Sequence, residues 1–118
     1  MRDAANGDQF VARVRQEAGL ALRIIDGAGE ARLSWLSALA HFDVGVGRTV
    51  VMDIGGGSLE LALAADGVLD DLLSLPFGAL RLTERYLRDG SGPKAMRKLR
   101  TEVRTALKAV VQIGRAHV

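Results

Sequence analysis

The 118-residue chain contains no cysteine, two prolines, one tryptophan, one tyrosine and three phenylalanines. The missing thiols exclude disulfides, thiol catalysis and cysteine-based metal sites. With so few aromatic residues, the core must be aliphatic. No apolar run approaches the roughly 20 residues a membrane helix needs, and the polar start with Asp3, Asn6 and Asp8 carries no signal peptide. No membrane is expected, and a cytoplasmic location follows. One-sided charge is lacking too. Sixteen basic against fourteen acidic residues leave a net charge of +2, too little to point to nucleic acid.

What is present is enough for one small α/β domain. Hydrophobic residues make up 48% of the chain, an ordinary share for a globular protein. Residues 7–18 read as a helix with Phe10, Val11, Val14 and Ala18 on one face and Gly19 as its stop. Leu20–Ile25 reads as a strand, with Asp26-Gly27 as the turn after it. A second helix over 29–41 has Leu33, Leu36, Leu39 and Ala40 on one side. Trp35 reads as a core or lobe contact.

After a glycine-containing connector at 43–47, residues 48–54 read as a buried strand. Residues 59–65 and 68–75 form a hairpin around Asp66-Gly67. Pro76 ends it, since proline has no N–H for the ladder. A helix over 78–87 turns Ala79, Leu82 and Tyr86 inward, and a last helix starts at Pro93 and runs to about Val111. The chain divides into 1–47, a first unit with its hinge, and 48–112, the start of a second. Residues 113–118 break the helical pattern and are expected to be a non-native tail.

The segment Asp53-Ile54-Gly55-Gly56-Gly57-Ser58-Leu59-Glu60 is where chemistry concentrates. Glycines let the backbone approach a ligand with no Cβ in the way. Successive N–H groups can form a nest for an anion, and flanking carboxylates suit a hard cation such as Mg2+. Other glycine motifs do not fit. A Walker loop needs Lys-Ser/Thr and a following helix, and a dinucleotide fingerprint also opens a helix. A serine-hydrolase elbow needs glycine two residues after the serine, where Glu60 stands. A strand, a glycine loop and a second strand opening with Asp match the phosphate hairpin of the actin/Hsp70/sugar-kinase superfamily. An ordinary glycine-rich turn would need fewer glycines.

Three further segments narrow this. They are Ser74-Leu75-Pro76-Phe77-Gly78-Ala79-Leu80-Arg81-Leu82-Thr83-Glu84, Ile25-Asp26-Gly27-Ala28-Gly29-Glu30-Ala31-Arg32-Leu33 and Arg2-Asp3-Ala4-Ala5-Asn6. Together with 53–60 they resemble, in the same order, the exopolyphosphatase/guanosine pentaphosphate phosphatase (Ppx/GppA) family. The resemblance implies an actin-like ATPase (ribonuclease H-like) fold, from the end of its first lobe to the start of its second. It implies hydrolysis of terminal phosphate from polyphosphate or guanosine pentaphosphate by Mg2+-assisted attack of water. Glu30 would orient or deprotonate that water. Asp53 would hold Mg2+, with Glu60 assisting. Backbone amides of Gly55, Gly56, Gly57 and Ser58 would cradle phosphate, and Arg2 would contact it. The sequence does not fix an oligomeric state; a homodimer of the full-length protein is one assembly compatible with the resemblance.

The chain departs from the family pattern at three places. Asp26 and Gly29 stand where Ser and a first Glu are usual, and Leu59 replaces the usual Thr. Loss of that hydroxyl is expected to weaken metal or phosphate binding. The family's first phosphate loop would lie before Met1, so this polypeptide alone is expected to be inactive. The alternatives are an actin/Hsp70-like ATPase and a non-catalytic phosphate-binding module. Lys94, Arg97, Lys98, Arg100, Arg104 and Lys108 read as a solvated helix face. His41 and His117 read as surface residues rather than metal ligands, and Arg81 reads as an i,i+3 partner of Glu84.

Overall fold

The computed structural model describes residues 4–116, and side chains over 4–110. Its centre is an antiparallel sheet in the order β1-β2-β3, formed by Arg48–Ile54, Leu59–Ala65 and Val68–Leu75. All three strands have the bounds expected from their apolar runs and turn residues. Asp66 and Gly67 join β2 to β3 with φ of 49° and 77°, the paired positive values of a twist-matched two-residue turn. Asp66 also ties this turn to the connector. Its Oδ1 accepts from the Gly47 N–H at 2.9 Å, and its own N–H donates to the Gly47 carbonyl at 2.8 Å.

Successive side chains of β2 point to opposite faces, which gives the sheet two cores. On one face, helix α2 (Gly27–His41) lays Trp35 over Ala62 and Ala64, with Val51, Leu69 and Leu72 around them. A bulky indole fits here because the strand residues beneath it are small. On the other face, Leu59 and Leu61 pack with Phe77 and with Val110 of α4 (Pro93–Ala116).

Several expectations are corrected. Leu20–Ile25 belongs to no ladder, because no strand among the described residues lies beside it to take its N–H and C=O groups. Asp26-Gly27 is not a hairpin turn. Asp26 is the N-cap of α2, its Oδ1 accepting from the Gly29 N–H at 2.8 Å, which satisfies one orphan donor of the first helical turn. Strand β1 is not buried, since it is a sheet edge that α4 does not reach. Val50, Met52 and Ile54 are 57%, 52% and 59% exposed.

On α2 the buried residues are Ala31 and Trp35, while Leu33, Leu36, Leu39 and Ala40 face outward. The rotation follows the indole, the largest apolar group on the helix. In α1 (Gly7–Ala18), Val11 and Val14 are half-buried, and Phe10 and Ala18 are exposed. Gly19 ends α1 with φ of 68°. The helix after Pro76 begins at Ala79 (α3, Ala79–Leu82) and passes into a wider π-helical turn over Thr83–Leu87. Leu82 and Tyr86 are half-buried there and Ala79 is exposed. Helix α4 runs past Val111 to Ala116, and its six basic residues at 94–108 are all exposed.

Candidate functional site

The β1–β2 turn lies at one end of the sheet, beneath the first turns of α2. The strand register sets Asp53 opposite Glu60, and Glu60 opposite Ser74, so the three form one row across the sheet. Neighbours across a ladder share a face, and this row lies on the α2 face. Helix α2 adds residues one turn apart. Glu30 and Ser34 stand at i and i+4, which brings both side chains to the same side.

An open cleft of about 640 Å³ results. Its sheet side is formed by Asp53, Gly55, Gly56, Gly57, Ser58 and Glu60, and its helix side by Glu30, Leu33 and Ser34. Thus seven residues singled out in the sequence line one space. Arg2 lies outside the described residues. Three polar residues not proposed from the sequence line the cleft as well: Arg23, Ser34 and Arg81. Ser34 could have been found as the residue one turn beyond Glu30. For Arg81 the sequence offered only the pairing with Glu84, yet the structure turns its side chain to the cleft.

Hydrogen bonds fix the carboxylates. Ser34 Oγ donates to Asp53 Oδ2 at 2.7 Å, joining α2 to the end of β1. Glu60 is 5% exposed, and Ser74 Oγ donates to its Oε1 at 2.9 Å. A buried carboxylate without such a donor would be costly.

The glycine loop is closed by its own backbone. The Gly55 N–H donates to the Ser58 carbonyl at 3.0 Å. Gly55 therefore cannot offer its amide to a ligand, which corrects the expected four-amide cradle. Among the described residues, the N–H groups of Gly56, Gly57 and Ser58 donate to no other main-chain group. The loop is also buttressed from behind. Ala79 N–H donates to the Gly55 carbonyl at 2.8 Å, and Arg81 N–H to the Gly56 carbonyl at 3.1 Å.

Neither backbone conformation nor packing demands the glycine triplet. None of the three lies in the left-handed region. A Cβ at Gly55, Gly56 or Gly57 would meet its nearest neighbour at 3.7, 3.9 or 3.9 Å, ordinary van der Waals contact. All three glycines line the cleft.

Leu59, by contrast, does not reach the cleft. It is 4% exposed and packs in the α4-side core. A hydroxyl at this position would point into that core, so the expected loss of ligand binding at residue 59 has no structural basis.

Among the described residues no three His, Asp or Glu side chains converge on one point. Mg2+ does not require such a cage, since it keeps several waters and uses one or two carboxylates plus substrate phosphates. Asp53 is exposed at the cleft, and its carboxylate is oriented by Ser34. No helix among the described residues is long and apolar enough to cross a membrane.

Comparison with known proteins places the chain in a family and a fold. Exopolyphosphatase 1 of Mycobacterium leprae is 44% identical over 89 residues, 75% of this chain and 26% of that protein. An uncharacterised protein of Streptomyces coelicolor is 35% identical over 111 residues, 92% of this chain and 33% of that one. The chain thus spans about a quarter to a third of the length of these relatives. A solved structure of the Aquifex aeolicus Ppx/GppA enzyme superimposes with a TM-score of 0.74 at 27% identity, over 92% of this chain and 36% of that one. A second structure of an Aquifex aeolicus family member, 32% identical, gives 0.59 over 73% and 28%. The fold is therefore part of the actin-like ATPase fold. The Ppx/GppA phosphatase family matches residues 1–118, and the chain belongs to that family.

Proposed function

We propose that the cleft holds the terminal phosphates of inorganic polyphosphate or guanosine pentaphosphate, and that the full-length protein releases orthophosphate from them. The observation that carries this reading is the glycine triplet, three cleft-lining residues whose missing side chains are required by neither backbone nor packing. A phosphate needs that close approach to main-chain N–H groups.

The N–H groups of Gly56, Gly57 and Ser58 hold the terminal phosphate in this reading. Glu30 faces it from α2 and orients a water for in-line attack, accepting its proton as the new P–O bond forms. The anhydride P–O bond breaks, and the electron pair leaves with the bridging oxygen. Asp53, held by Ser34, is the residue that would carry Mg2+; when bound, the ion neutralises charge on the phosphates. A hydrolase of this kind gains most from positioning and charge neutralisation, which a fixed loop and a fixed carboxylate supply.

The test is Mg2+-dependent phosphate release by the full-length protein from polyphosphate, guanosine pentaphosphate and ATP. Glu30→Gln is expected to lower the polyphosphatase rate by about 10²- to 10⁴-fold, the range of a general base. An unchanged rate would remove Glu30 from the mechanism. ATP turnover without polyphosphate cleavage would favour an actin/Hsp70-like ATPase.

A further inference from the structure

We infer that Arg81 is an anion-binding residue of the cleft, its guanidinium forming the side-chain arm of a cradle whose other arm is the glycine loop. The inference rests on the reading of the cleft as a phosphate site.

The backbone of Arg81 is fastened to that loop through the Gly56 carbonyl at 3.1 Å, and Ala79 fastens it again through Gly55 at 2.8 Å. Gly78, buried just before them, allows the two segments to touch. Residues 78–81 and 55–57 are therefore placed together before any ligand arrives. The Arg81 side chain is half-buried and turns along the loop. Its Nη2 lies 3.9 Å from the point where a Cβ of Gly57 would stand. A guanidinium thus borders the position that Gly57 leaves open, and it lines the same cleft as the glycine loop.

Charge gives this placement its use. Glu30, Asp53 and Glu60 line the cleft, and a polyanion entering it meets three carboxylates. A cation fixed to the loop offsets that repulsion at the point of contact. Arg23 also lines the cleft, but it is itself exposed and lies outside any helix or strand. Arginine presents a planar fork of N–H donors that fits phosphate oxygens in pairs, which the point charge of lysine cannot copy. The ligand class is an oligophosphate.

The test is calorimetric titration of the chain with tripolyphosphate at fixed ionic strength. Arg81→Ala is expected to weaken binding about ten- to hundredfold, the loss of a charge-assisted contact. Arg81→Lys, which keeps stem and charge, should recover only a minor part. Arg88→Ala, an exposed arginine outside the cleft, should change affinity less than about twofold, as a screened charge does. Far-UV circular dichroism should match wild type for all three. Wild-type affinity in Arg81→Ala, or an equal loss in Arg88→Ala, overturns the assignment of Arg81. If Gly56→Ala abolishes binding while Arg81→Ala does not, the Arg81 assignment alone fails. If the wild-type chain does not bind tripolyphosphate, the phosphate reading of the cleft falls with it.

Discussion

Gly78 is the position where a single added carbon should do most harm. Its φ of −67° and ψ of 152° are open to any residue, so alanine there carries no conformational strain. The obstacle is steric. A Cβ would stand far inside van der Waals contact of the Gly56 carbonyl group and the Gly57 carbonyl carbon. These are backbone atoms and cannot swing aside. To regain a carbon–carbon separation of about 3.5–4.0 Å the loop must recede by roughly an ångström. That movement stretches the bonds from Ala79 to Gly55 and from Arg81 to Gly56. Overpacking of this kind costs about 1–3 kcal/mol, and each lost hydrogen bond about 1 kcal/mol, so Gly78→Ala should cost about 2–5 kcal/mol. With a urea slope of about 1.5–2 kcal/mol/M, a loss near 3 kcal/mol lowers the midpoint by roughly 1.5–2 M. Trp35, the single tryptophan and 4% exposed over Ala62 and Ala64, reports the transition by fluorescence. Gly56→Ala is the paired control. Its Cβ would meet only the Leu80 Cβ, at 3.9 Å, so its midpoint should stay within about 0.5 M of wild type. Equal midpoints for Gly78→Ala and wild type would refute the steric argument.

Two further substitutions probe the cleft and its support. Leu59→Thr restores the residue usual in the family at a site 4% exposed; it should cost about 2–4 kcal/mol by urea denaturation with no gain in tripolyphosphate affinity, and tighter binding would return residue 59 to the site. Ser34→Ala removes the 2.7 Å bond to Asp53; in the full-length protein it should raise the Mg2+ concentration for half-maximal phosphate release by about tenfold, with Ser34→Thr restoring it, and an unmoved Mg2+ dependence would remove Ser34 from the proposed metal site.

The strands were legible to the residue because their signals are local. Short apolar runs bounded by glycine and proline mark each strand, and Asp66-Gly67 needs no distant partner to turn the chain. What failed depends on neighbours far along the chain. Leu20–Ile25 has the composition of a strand, but a strand exists only beside another. Arg48–Ile54 is apolar enough to be buried, yet burial is decided by where α4 lands, and α4 covers β2 and not β1. The leucines of α2 share a side by spacing, but Trp35 won the core because Ala62 and Ala64 left room for it. The same division holds in the cleft. Glu30, Asp53 and the glycines sit in recognisable segments. Ser34 and Arg81 gain meaning only when folding sets them beside Asp53 and Gly57.

The three departures from the family pattern now separate from the residues that match it. Asp26 caps α2 through its carboxylate, a task that Ser performs equally well. At Gly29 a Cβ would stand 3.1 Å from Asp26 Oδ1 and 3.4 Å from the Ile25 Cβ, so glycine there relieves crowding around that same cap. Leu59 fills the core beneath α4. Each of these residues is accounted for by folding alone. The glycine triplet is not, and neither is the exposed carboxylate of Asp53 at its edge, which Ser34 holds in place. A fold gains nothing from three empty Cβ positions bordering a cleft that three carboxylates and two arginines share. An anion that must approach the backbone closely gains from all of them. The departures therefore lie where the chain answers to its own packing.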